Sequence, residues 1–134
     1  MKKILLLTAI LAISSGCQNL FNSDADHIKI KIFSSGDGFT GHFIKDSVTS
    51  LFANESVLNG SYSYEVDTGK MKSSVTITAT GNSLNTKSIQ IYIFKGDTQV
   101  KNILQSLISG STDYLTVQLS YSLTETGTST TTTP

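Results

Sequence analysis

The chain has 134 residues, ten basic and ten acidic, and 38% hydrophobic side chains, which suffices for one domain with a core and is too short for two ordinary ones. Every basic residue is lysine and the charges balance, which argues against a nucleic-acid partner. Tryptophan is absent, the single proline is Pro134, and Ser, Thr, Gly and Asn abound, a mixture that suits short strands and turns, so the expected class is all-β.

The N-terminus reads as an export signal over residues 1–16. Lys2 and Lys3 form a basic start, residues 4–13 (ILLLTAILAI) an apolar run, and Ser14, Ser15 and Gly16 a small-residue boundary. The run is shorter than the roughly 18 apolar residues that a spanning helix needs. Cys17, the only cysteine, follows at once. An unpaired thiol in an exported chain cannot close an internal disulfide, which makes its position informative.

Residues 13–17 (ISSGC) resemble the lipobox of bacterial lipoproteins, in which an apolar residue and small residues precede a cysteine that becomes the new N-terminus. Here Ser14 stands where that family usually has leucine. The resemblance implies diacylglyceryl transfer to the Cys17 thiol, cleavage before Cys17 and acylation of the freed amine. It also implies a lipid membrane as the first partner. One acyl chain holds a protein marginally, two or three almost permanently, at about 0.8 kcal/mol per buried CH₂. The residues also allow cleavage after Gly16 by a type I peptidase, which would release a soluble chain with a free thiol. Residues 17–26 then form the lipidated N-terminus and a polar tether. Gln18 directly after the cysteine favours the outer membrane, if the enterobacterial sorting rule applies.

From residue 27 the pattern is a series of strands. HIKIKIF alternates Ile28, Ile30 and Ile32 against His27, Lys29 and Lys31, the period of a strand with one buried face. SSGDG is a turn, and FTGHFIK returns with Phe39, Gly41 and Phe43 on one face. VTSLFA fits a strand or one helical turn. SYSYEV alternates Tyr62, Tyr64 and Val66 and is followed by DTGK, read as a turn. SSVTITAT places Val75, Ile77 and Ala79 together. SIQIYIF carries Ile89, Ile91 and Ile93 on one face and Tyr92 and Phe94 on the other, as expected of a central strand covered on both sides. Residues 97–110 fit a hairpin leading into a strand, or a helix capped by Asp97; the surrounding strands favour the hairpin. YLTVQLSYSL is the longest alternation, through Leu115, Val117, Leu119, Tyr121 and Leu123. Residues 125–134 (ETGTSTTTTP) are expected to be a disordered tail.

Together these predict a small antiparallel immunoglobulin-like β-sandwich over residues 27–124. The stretch from Ile28 to Tyr121, above all SIQIYIFKGDTQVKN, resembles the small immunoglobulin-like exported domains of the mycobacterial MmpS-type proteins. The disulfide common in those domains cannot form here.

Chemistry-bearing residues are sparse. His27 and His42 read as edge or surface residues, too few for a zinc site once Cys17 is lipidated. Asp24, Asp26 and Asp37 with Gly36 and Gly38 lack the ligand spacing of a calcium loop and read as turn chemistry. No nucleophile elbow or phosphate-binding glycine loop is present. Tyr62, Tyr64, Tyr92, Tyr114 and Tyr121 read as core or cross-strand residues rather than a sugar-stacking platform. No catalytic residue, metal or cofactor is therefore expected. The expected function is that of a non-enzymatic lipoprotein of the bacterial cell envelope, on its periplasmic or surface side, that binds an envelope or surface protein through a sheet edge or through loops such as those holding Asp37 and Phe39. The alternative is a binder of a small or lipidic ligand in a cavity lined by Phe39, Phe43 and Phe52.

Overall fold

Ile28, Ile30 and Ile32 are all fully buried, so the alternation of the first strand does set the floor of the core. The computed structural model describes residues 25–58 and 61–124, with the backbone alone at 56–58. The expected signal peptide, Cys17, residues 17–24 of the tether and the tail lie outside the described residues. In chain order the strands are β1 (His27–Ser35), β2 (Phe39–Lys45), β3 (Val48–Ala53), β4 (Ser56–Leu58), β5 (Ser61–Lys70), β6 (Ser74–Gly81), β7 (Ser88–Lys95), β8 (Thr98–Ser106) and β9 (Thr116–Ser122).

They form two antiparallel sheets, one in the order β4-β5-β1-β7-β8 and one in the order β3-β2-β6-β9. This is the expected all-β sandwich. Ile30 lies opposite Ile93 and Ile32 opposite Ile91. In the second sheet Ile77 lies opposite both Phe43 and Leu119. These inward side chains meet in one cluster between the sheets, each fully buried isoleucine contributing about 1.5–3 kcal/mol relative to exposure.

Several segments refine the sequence reading. VTSLFA is a strand, because Asp46 and Ser47 both have positive φ, 50° and 72°, the backbone of a two-residue hairpin turn matched to strand twist. DTGK is not a turn: β5 runs through to Lys70, which lies opposite His27. The Asp-Thr-Gly sequence serves a bulge instead. Gly69 has φ +73°, its N–H donates to the Asp67 carboxylate at 2.8 Å, and the β1 register shifts between His27 and Lys29.

Residues 97–110 begin with the hairpin: the Gly96 N–H donates to His27 C=O at 2.8 Å, and β8 pairs with β7. The helix-like spacing of Val100 and Ile103 has its own cause. The register passes from Lys101 to Gln99 across Ile93 and Phe94, so the skipped Val100 joins Ile103 against the core. The outer face of β7 differs from expectation, since among the described residues no second layer covers Tyr92 and Phe94. Phe33 lies edge-on to Tyr92 with centroids 6.1 Å apart, Phe94 sits 6.3 Å beyond, and the Lys31 ammonium is 5.6 Å from the Phe94 centroid. The rings shelter one another and leave Phe33 exposed.

The sandwich has two distinct ends. The chain enters β1 at His27 beside Lys70, and the four-stranded sheet contributes Lys45, whose ammonium donates to the carbonyls of Thr68 and Lys70. Ser122 at the close of β9 lies opposite Ser74 at this same end. The far end holds the β1–β2, β3–β4, β6–β7 and β8–β9 connections, and Ser61 at the start of β5 lies there opposite Ser35.

Candidate interaction surface

At the far end the β1–β2 and β6–β7 connections are locked together by backbone chemistry. Gly36 has φ +88°, and a Cβ there would overlap the carbonyl oxygen of Asn85. The Asp37 N–H donates to Asn85 C=O at 3.3 Å, and the Ser83 hydroxyl donates to the Asp37 carboxylate. Buried Ser34 and Thr86 donate to the carbonyls of Asp37 and Gly38, both at 3.0 Å. Asp37 is therefore a turn residue with one carboxylate oxygen and its carbonyl engaged. Phe39 is fully buried and belongs to the core, not to a binding loop.

The β8–β9 connection is built differently. It is fixed at its base, where the Leu107 N–H donates to Lys87 C=O and the Gly81 N–H to Leu115 C=O, both at 2.8 Å. Between these anchors the Ser111 N–H donates to Ile108 C=O at 3.0 Å, and the Ser111 hydroxyl accepts the Asp113 N–H at 3.2 Å. The resulting arch encloses an open concavity of about 290 Å³ whose apolar lining is Leu107, Ile108, Tyr114 and Leu115. Ile108 is 80% and Tyr114 58% exposed. Two large apolar side chains thus stand open beside a hollow, and such a patch is the usual mark of an interaction site.

The other sequence candidates are scattered. Phe39, Phe43 and Phe52 do meet, but as packed rings: Phe52 lies 6.2 Å from Phe39, 6.5 Å from Phe43 and 4.8 Å from Tyr64. A Cβ on Gly41 would come within 2.7 Å of the Phe52 ring. The space expected of a ligand between the three phenylalanines is filled by the rings themselves. Burial, with a smaller push from the Glu55 charge, raises the Tyr64 hydroxyl above its ordinary value.

His27 Nδ1 stands 3.2 Å from the Asp67 carboxylate at the entry end, whereas His42 lies on the outer face of the other sheet, opposite Leu51 and Thr78. Asp26, 3.3 Å from the Lys95 ammonium, and Asp37 occupy opposite ends of β1. Asp24 lies outside the described residues.

Two entry-end carboxylates are shifted. The Lys72 N–H above all, then Ser73, holds Asp46 below the ordinary carboxylate value against the opposing effect of burial. The Gly69 N–H does the same for Asp67, helped by His27. Asp46 ties the β2–β3 turn to the β5–β6 connection, Asp67 ties the β5 bulge to the start of β1, and both serve folding. Asn54 is likewise structural, its side-chain oxygen accepting the Phe39 N–H at 3.1 Å.

The sequence reading of Tyr114 as a core or cross-strand residue does not hold: it precedes β9 in the β8–β9 connection and is more than half exposed. Sequence reasoning did not single out Ile108 as a site. The available signal was the polar loop SGSTD between two apolar pairs, which a helical reading of residues 97–110 obscures. In comparisons with known proteins, no family model, curated protein or solved structure matches the chain.

Proposed function

We propose that the chain is a non-enzymatic lipoprotein of the bacterial cell envelope, held by acyl chains on Cys17, whose sandwich presents the β8–β9 concavity to a protein partner. One observation carries the reading. The chain enters β1 at the end opposite the exposed apolar side chains, Ile108 and Tyr114. A lipid upstream of residue 25 then leaves the concavity facing away from the bilayer, where a protein can reach it. Gln18 after the cysteine supports the outer membrane as the bilayer concerned. Aromatic and aliphatic anchors beside a hollow suit a protein side chain better than a charged ligand.

The second reading, a small or lipidic ligand, draws on the same concavity, whose volume of about 290 Å³ is at the lower bound of ligand pockets, about 300 Å³. A photo-crosslinking residue at position 108 of the full chain, activated in intact cells, separates the two. A discrete adduct of protein mass, lost with Tyr114→Ser, supports the first; labelling of lipid or metabolite alone supports the second. Cys17→Ala moves the chain out of the membrane fraction if the anchor is as proposed, and unchanged retention and size contradict it.

A further inference from the structure

The outer face of the four-stranded sheet carries no lysine, aspartate or glutamate among the described residues. Its central cross-strand row is Leu51, His42, Thr78 and Gln118. The rows on either side add only threonine, serine, alanine and isoleucine. Lys45, the one charged residue within these strands, turns the other way and caps the entry end. The opposite outer face of the molecule is unlike this. There Lys31 pairs with Glu65 at 3.0 Å and Lys29 with Asp97 at 3.2 Å. Depletion of lysine, aspartate and glutamate is one part of the compositional signature of the centre of an interface.

Two further features lower the cost of drying this face. The Thr76 hydroxyl is 2.9 Å from the Ser120 hydroxyl, and the Thr80 hydroxyl 3.1 Å from that of Thr116. Hydroxyls already paired within the sheet lose less when water leaves, and their methyl groups then present apolar surface. Leu51 is 84% exposed beside them, and Ile44 is also open.

We infer that this face pairs with the same face of a second copy of the chain about a two-fold axis running along the strands. An uncharged face meets its own image without like-charge repulsion, and a two-fold contact is self-complementary by construction. Four strands spaced about 4.8 Å apart and about seven residues long give a footprint of roughly 450 Å² per copy. The total of roughly 900 Å² belongs to weak, transient contacts rather than permanent ones. The axis direction rests on the lipid-anchor reading: it places both entry ends side by side, so both copies reach one bilayer. Confinement there raises the effective concentration and offsets the small area.

The test is cross-linking in isolated membranes with a short bismaleimide, using the full chain carrying Thr78→Cys. The expected product is a species of twice the chain mass, linked through residue 78 in both halves. It should disappear when Thr76→Lys is added and persist with Thr76→Val, and Asn102→Cys on the opposite sheet should stay monomeric. A Thr78→Cys chain that stays monomeric, links only to a protein of another mass, or dimerises no better than Asn102→Cys overturns the inference. Maleimide labelling of the unaltered chain reports Cys17 separately: a reactive Cys17 contradicts the anchor and leaves the face to be judged by the linkage at residue 78.

Discussion

Replacing Phe52 with alanine tests the packing between the sheets most sharply. Phe52 is 7% exposed on β3, an edge strand, yet its ring stacks on Tyr64 at 4.8 Å and 17° and touches Phe39 and Phe43. Phe→Ala at a buried site costs about 3–5 kcal/mol. The edge position permits some collapse, while the lost aromatic pair adds about 0.5–1.5 kcal/mol; we expect about 4 kcal/mol. Against the 5–15 kcal/mol typical of a domain that is a large fraction of the total. With a urea slope of about 2 kcal/mol/M, the unfolding midpoint should fall by about 2 M. Urea denaturation of the purified chain followed by circular dichroism measures it, with Phe52→Leu as a control expected to cost under about 1.5 kcal/mol. A loss below about 1 kcal/mol for the alanine variant would mean the ring does not fill the space between Phe39, Phe43 and Tyr64, and would return that space to a ligand.

Other outcomes follow from the same geometry. Gly36→Ala, at φ +88° and against the Asn85 carbonyl, should destabilise by at least about 1–2 kcal/mol in the same assay, whereas Gly110→Ala, with open space around its Cβ, should cost only the backbone strain. Asp46 and Asp67 are held below the ordinary value of 3.8, so their contribution is present above that value and lost as pH falls through the lower folded-state value. Urea midpoints should therefore hold from pH 7 to pH 5 and drop below about pH 4, with Asp46→Asn showing a shallower acid decline. Ile108→Asp should leave the urea midpoint within about 0.5 kcal/mol of the parent, since Ile108 is 80% exposed, while removing the partner adduct; a large stability loss would make it a core residue instead.

The period of two was enough to place the inward side chains. Ile28, Ile30, Ile32, Val75, Ile77, Ile89, Ile91, Ile93 and Val117 are all fully buried, because alternation reports directly which face meets the core. It does not report what lies on the other face. Tyr92 and Phe94 read as a second buried side, yet among the described residues neighbouring rings and Lys31 shelter them in place of a covering layer. Nor does local sequence separate a bulge from a reversal: Asp67 to Gly69 has turn composition, but pairing with β1 keeps the strand running to Lys70. The bulge at Val100 mimicked helical spacing for the same reason. The uncharged outer face was present in the sequence as Thr76, Thr78 and Thr80, but its extent depends on which strands become neighbours. Ile108 and Tyr114 became visible as a site only when the β8–β9 arch brought them beside one hollow.

What Cys17 carries is decisive, because in the proposed reading a lipid there sets which end of the sandwich faces the bilayer. Mass spectrometry of the chain purified from its native membrane decides it. The account requires a mature N-terminus at Cys17 bearing diacylglyceryl and, on its amine, a further acyl group. An N-terminal Cys17 with a bare thiol, or a chain still carrying residues 1–16, would contradict it.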